Sequence, residues 1–464
     1  MKTMITAALV ALAQAMHGED MGALLTQTPH EVVTIFGATP TNDGGASIML
    51  DVETQGKKLV VALTRNDDIF AEAYEHIVMN ADGSVKETIP SGGFNCVYRG
   101  HVFAADDTAQ TEELGNAMLS VCDGEIEGHL HFDEHELYIA PHPAQEDAHV
   151  VFRHDDWGKA THADEWSCGH DGAEENIMTT DPTWAFTNEE GKSMIAAAHG
   201  HDHEHDEHAH EAKTTTSERR RRLAGTAGTI KKTVEMLIVN DYLRCKQFKA
   251  DGKTLSQMTT RSAAIMAQVT DHYVNGFEAS PNFDFEFRFT ITKMISFPFG
   301  NPWTSTPSLV GAAGEVDHDK LLSEFGAWVE TSDIANDNAH MLTGEDFEGG
   351  TVGYAGVGGM CRASHSTGIS MAHVTSTDMQ IAGIVAHEIG HNVGMLHTST
   401  VDTINGPVFE SCYDANHIHI MDGVSSGVPA TQFSTCSKSW MDEFMNKWCV
   451  FARSSLFGSE HHPP

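Results

Sequence analysis

The chain has 464 residues, 40% of them hydrophobic, with 28 Lys and Arg against 66 Asp and Glu and a formal net charge of -38. Acidity on this scale excludes a nucleic-acid partner, which needs basic residues spread over a face. The length allows two or more separately buried cores.

The first fifteen residues, MKTMITAALVALAQA, set one lysine before a short apolar run and end on the small residues that a signal peptidase selects. Residues 1–15 are expected to be a signal peptide. The run is too short to span a bilayer, and no later segment is long and apolar enough to cross one. Secretion, with no membrane span, is the expectation. Eight cysteines suit an oxidising compartment: Cys96, Cys122, Cys168, Cys245, Cys361, Cys412, Cys436 and Cys449.

Over residues 30–155, short alternating runs such as KKLVVAL (57–63) and HVVFRH (149–154) are punctuated by Gly, Asp and Asn, which predicts a β-rich domain, with bounds 16–198. Next comes HGHDHEHDEHAHE (199–211), a low-complexity stretch with no apolar periodicity. It cannot bury enough surface to offset its ordering entropy, so 199–222 reads as a linker. The linker ends in Arg219, Arg220, Arg221 and Arg222, four cations in a chain otherwise poor in them. Three cysteines precede this run and five follow it, so each side carries an odd thiol.

From 223 to 464 the pattern becomes α/β. TVEMLIV (233–239) reads as a buried strand, 258–277 as an amphipathic helix, 283–295 as a strand and 319–331 as a second helix. TVGYAGVG (351–358) is a short glycine-rich strand. A third helix starts near Thr377, where Thr377 and Gln380 make a capping box. That helix carries HEIGHNVGMLH (387–397). His387 and His391, four residues apart, project from one helical face at a separation that suits tetrahedral zinc. Glu388 stands beside them, placed to act as general base on a water bound to the metal. Gly394 can take the left-handed conformation that ends the helix and brings His397 round as third ligand. Three histidines leave one zinc position open, the arrangement of a catalytic site.

At these residues the sequence resembles the metzincin zinc peptidases, with Met421 of HIHIMDG (417–423) in the place of the family's methionine turn. TVEMLIVND (233–241), the stretch 337–361 and FSTCS (433–437) narrow the resemblance to the adamalysin, or reprolysin, branch. The resemblance implies an α/β fold: a mixed twisted sheet with three main helices and zinc in the cleft, preceded by a β-rich prodomain. It implies hydrolysis of protein or peptide substrates, held as an added strand by Gly353, Tyr354 and Ala355. It also implies disulfides Cys361–Cys449 and Cys412–Cys436, with Cys245 unassigned, and a calcium site matched by Glu235 and Asp337. Two positions depart from the pattern. Ala452 stands where an asparagine calcium ligand is expected, and Thr398 replaces the usual Asp after the third histidine.

In the front half, CVYRGHV (96–102) and LSVCDGEIEG (119–128) resemble the paired-cysteine segments of reprolysin propeptides, implying Cys96–Cys122. WSCGHDG (166–172) resembles that family's cysteine switch, in which the Cys168 thiolate occupies the open zinc position and silences a zymogen. A Cys168–Cys245 disulfide is the rival account. Arg219 to Arg222 resemble a site for a furin-like processing protease, whose cut would release the inhibitory half. The competing functional reading is a secreted zinc-binding or buffering protein. Its metal would sit on His199, His201, His203, His205, His208 and His210.

Overall fold

In the computed structural model the residues described are 21, 25–26, 28–37, 46–90, 96–122, 124–132, 135–145, 147–157, 166–168, 230–275, 285–303, 314–360, 364–398, 419–425, 430–434, 436–438 and 440–441. The expected signal peptide, the histidine-rich linker, Arg219–Arg222, Cys361, Cys412, Cys449 and Ala452 lie outside them.

The front half builds a nine-stranded antiparallel sheet from β1 (His30–Val33), β2 (Phe36–Gly37), β3 (Ser47–Thr54), β4 (Lys57–Arg65), β7 (Val97–Ala104), β8 (Glu113–Cys122), β9 (Glu125–Phe132), β10 (His135–Pro141) and β11 (His149–Arg153). The alternation in the sequence is the cause. In β3 every second residue is buried, and Ile48, Leu50 and Val52 join Leu59, Val61 and Leu63 of β4 in one core. A disulfide joins Cys96 to Cys122. The front half is nevertheless not confined to this sheet. β5 (Phe70–Met79) and β6 (Val85–Pro90) leave it and extend the far edge of the second sheet, where β5 lies parallel to β14 (Phe285–Ser296). Asp68 accepts from both Arg99 of the first sheet and Arg288 of β14.

The second sheet is mixed. Its order is β18 (Val424–Ser425), β12 (Trp166–Cys168), β16 (Thr351–Ala355), β17 (Thr367–Met371), β15 (Asn338–Thr343), β13 (Ile230–Asn240), β14, β5 and β6. Both faces are covered, which explains the near-continuous apolar run of β13. Val234, Met236 and Ile238 pack on α2 (Leu255–Asn275) and α4 (Asp378–Asn392). Leu237 and Val239 pack on the other side against Leu321, Phe325 and Val329 of α3 (His318–Thr331). The three long helices read from the sequence are these. A further helix, α1 (Tyr242–Ala250), was not read, because YLRCKQFKA has no apolar stripe. Its N-cap, Asp241, was the available signal: the carboxylate accepts from the Arg244 amide at 2.8 Å.

Candidate active site

Helix α4 begins and ends on sequence-local devices. Thr377 Oγ1 accepts from the Gln380 amide, and Gln380 Oε1 accepts from the Thr377 amide, closing the capping box. At the other end Gly394 has φ +83°. Its amide donates to the His391 carbonyl, and the Met395 amide donates to that of Gly390. This pair of bonds is a Schellman turn, which reverses the chain and returns His397 to the helix.

The consequence is a compact triad. The Nε2 atoms of His387, His391 and His397 lie 3.1–3.2 Å from one another, and all three rings are buried. Ligand atoms about 2 Å from one tetrahedral ion stand roughly 3.3 Å apart, so the spacing matches zinc. The protonation of two rings follows from their partners. His387 Nδ1 donates to the Ile420 carbonyl at 2.6 Å and His391 Nδ1 to the Met395 carbonyl at 2.9 Å. A carbonyl can only accept, so each Nε2 is left as a lone pair aimed at the centre of the triad. Burial also lowers the His387 imidazole to about 4, and the Ile420 bond only partly offsets this. The donor set therefore fits zinc.

Glu388 is 1% exposed. It has room because residue 353 is glycine: a Cβ there would fall 2.3 Å from Glu388 Oε1. Gly390 makes space in the same way, since a Cβ on it would meet Met421 Sδ at 2.3 Å. Met421 thus lies directly against the helix turn that carries His387 and His391. Its carbonyl accepts from the Thr398 amide. The residue that departs from the family pattern, Thr398, is itself employed: its hydroxyl donates to Asp422 Oδ1 at 2.6 Å, and Asp422 Oδ2 accepts from the His419 amide. Asp422 was not singled out in the sequence. Its place beside Met421 was the only available signal.

Cys168 comes to the same point from a distant part of the chain. Its Sγ is 3.5 Å from His391 Nε2 and 3.7 Å from Glu388 Oε1. With the three histidines it forms a buried set of four potential metal ligands. Cys168 and Cys245 are both thiols, so they are not bridged to each other. Burial and the nearby Asp241 push the Cys245 thiol up to about 12. Strand β12 seats Cys168 between two neighbours, parallel to β16 with Cys168 opposite Gly353, and antiparallel to β18. The Cys168 amide donates to the Gly423 carbonyl. Gly353, Tyr354 and Ala355 pair on their inner side with Ser370, Ile369 and Gly368 of β17. The outer edge of β16 is taken by β12.

One further link was invisible in the sequence. Glu127 of β9 accepts from the amide of Asp378, the first residue of α4, at 2.9 Å, and also from the Tyr138 hydroxyl. A carboxylate at a helix N-terminus is favourable. Burial and the neighbouring Asp378 push Glu127 up to about 7, with Arg261 opposing.

Glu235 and Asp337 lie together, the Asp337 carboxylate accepting from the Glu235 amide at 2.9 Å. Burial raises Asp337 to about 6. Among the described residues they are not part of a set of three potential metal ligands. Cys436 is disulfide-bonded, and its expected partner Cys412 lies outside the described residues. Also among these residues, no helix is long and apolar enough to cross a membrane.

Compared with known families, residues 313–451 match the family model described as Reprolysin (M12B) family zinc metalloprotease. The match contains the three histidines, Glu388, Gly353 and Met421.

Proposed function

We propose that this chain, whose residues 313–451 form a reprolysin-type zinc metalloprotease domain and make it a peptide-bond hydrolase, is a secreted endopeptidase made as a latent precursor. The observation that carries the reading is the convergence of Cys168 with His387, His391 and His397 in one buried cluster.

Bound zinc supplies the Lewis acid that polarises the scissile carbonyl and acidifies the attacking water. The chain supplies the rest. His387, His391 and His397 would hold the ion through Nε2, with the Ile420 and Met395 carbonyls fixing the tautomer of the first two rings. Glu388 takes the proton of the attacking water on its carboxylate and returns it to the leaving amine. Gly353, Tyr354 and Ala355 offer backbone groups to an extended substrate, which orients the bond to be cut.

In the precursor, β12 occupies that edge and Cys168, its Sγ 3.5 Å from His391 Nε2, would serve as a further ligand to the ion, so substrate and water would be excluded together. Removal of the front half by a furin-like protease, cutting after Arg222, opens both. The Cys96–Cys122 disulfide supports passage through an oxidising compartment. The test is to cut the purified precursor after Arg222 and present it, with zinc, to a peptide library. Discrete cleavage products, abolished by a chelator and restored by zinc, are expected. A processed, zinc-loaded chain that cuts nothing overturns the reading and favours metal buffering.

A further inference from the structure

A second group of metal-ligating side chains, sharing no residue with the peptidase cluster, lies where the first sheet meets helix α2. Along β9, Ile126, Leu130 and Phe132 turn into the core of the first sheet. The alternate residues Glu127, His129 and His131 face the helices of the peptidase half. Glu127 bonds to α4, as described above. His131 Nε2 is 3.7 Å from Asp271 Oδ2 of α2. The His129 ring lies 5.6 Å from the ring of His272 on the same helix.

Two of these histidines, His129 and His272, are poorly satisfied as they stand. His129 is 1% exposed, and neither of its ring nitrogens has a protein hydrogen-bond partner. His272 is buried too, with its Nε2 unpartnered. Burying such groups without partners costs the full desolvation penalty of each, which a fold tolerates only where something compensates. One ligand atom each from His129, His131 and Asp271 lies within 4.8 Å of the others. A tetrahedral ion would hold its ligand atoms roughly 3.3 Å apart, so binding would draw these three together. The side chains of His131 and Asp271 are 30% and 11% exposed, which leaves an entry path. Two imidazoles and one carboxylate suit first-row divalent ions and not calcium or magnesium, which prefer all-oxygen sets.

We propose that His129, His131 and Asp271 form a second divalent-metal site, filled by zinc, that ties the front sheet to the peptidase half. Its ligands come from both halves of the chain. Occupancy and docking are therefore linked: metal favours the docked state, and separation of the halves dismantles the site. His272 stands beside the cluster as a candidate fourth ligand. None of these residues belongs to the peptidase cluster, so the inference does not rest on the proposed mechanism.

The test uses the full chain with His199, His201, His203, His205, His208 and His210 changed to serine, so that the linker takes no metal. The chain is dialysed against buffered Zn2+ and the bound ions are counted. Two ions per chain are expected, falling to one in Asp271→Asn, in His131→Gln and, separately, in His391→Ala. Asp271→Asn or His131→Gln chains with unchanged near-ultraviolet circular dichroism that keep as many ions as the parent overturn the site. If both variants misfold, Co2+ titration of the parent decides. One phase with thiolate-to-cobalt charge transfer from Cys168 and a second phase without it support the site, and a thiolate phase alone overturns it. Failure of the peptidase reading has a different signature, an ion count insensitive to His391→Ala.

Discussion

Gly353→Ala should cripple hydrolysis while leaving zinc in place. A Cβ at 353 would sit 2.3 Å from Glu388 Oε1 and 2.9 Å from both Cδ and Cγ. The glycine has no left-handed φ, so alanine suits the backbone and the collision is the whole perturbation. Ordinary contact is about 3.5 Å, so the carboxylate must retreat by roughly 1 Å. Glu388 is 1% exposed, so the shift has to be made within the protein interior. A displacement of about 1 Å in a catalytic group costs on the order of 10²-fold in rate. That is about 2.7 kcal/mol of lost transition-state stabilisation. The assay compares kcat of processed wild type and variant on one peptide chosen from a library, with zinc counted in both. Activity within about threefold of wild type would refute the packing argument. Loss of zinc would refute it in another way, by moving the damage from Glu388 to the histidines.

Glu388→Gln should lower peptide hydrolysis by at least about 10²-fold with zinc retained, since the proposed mechanism makes it the general base and not a ligand; residual activity near wild type contradicts the role. His397→Ala should lose both metal and activity, and stoichiometric zinc after dialysis would contradict a three-histidine centre. Cys168→Ala, or thiol alkylation, should give the uncut precursor measurable activity; a variant as silent as wild type would show that β12 alone blocks the cleft. Glu127→Gln should change how stability depends on pH. The folded pKa of about 7 lies above the unfolded value of about 4.3, so this group's contribution is complete below about 4.3 and is lost as pH rises towards 7. Thermal melts of the full chain between pH 5 and 8 should fall less steeply in the variant, and parallel curves would exclude the contribution.

What was legible in the sequence was local. The capping box of Thr377 and Gln380, the Gly394 turn and the spacing of His387, His391 and His397 all lie within 21 residues. Helical geometry converts such spacing directly into position. The strands β4, β11, β13 and β14 were legible for the same reason, because burial on one face or both writes a period into the residues. Tertiary structure decided what depends on contacts between distant segments. Asp422 orders Thr398, Glu127 caps the helix of the peptidase half, and β5 joins the second sheet instead of the first. Cys168 meets Glu388 across 220 positions. Its cysteine–glycine pair named it as a candidate, but only the pairing of β12 between β16 and β18 brings the thiol to the histidines. The cluster of His129, His131 and Asp271 left no signal at all. Two of its members alternate along a strand and the third sits on a helix some 140 residues later. Nothing in either segment alone reports that the two faces meet, because a single residue's period specifies which side it faces and not what it faces.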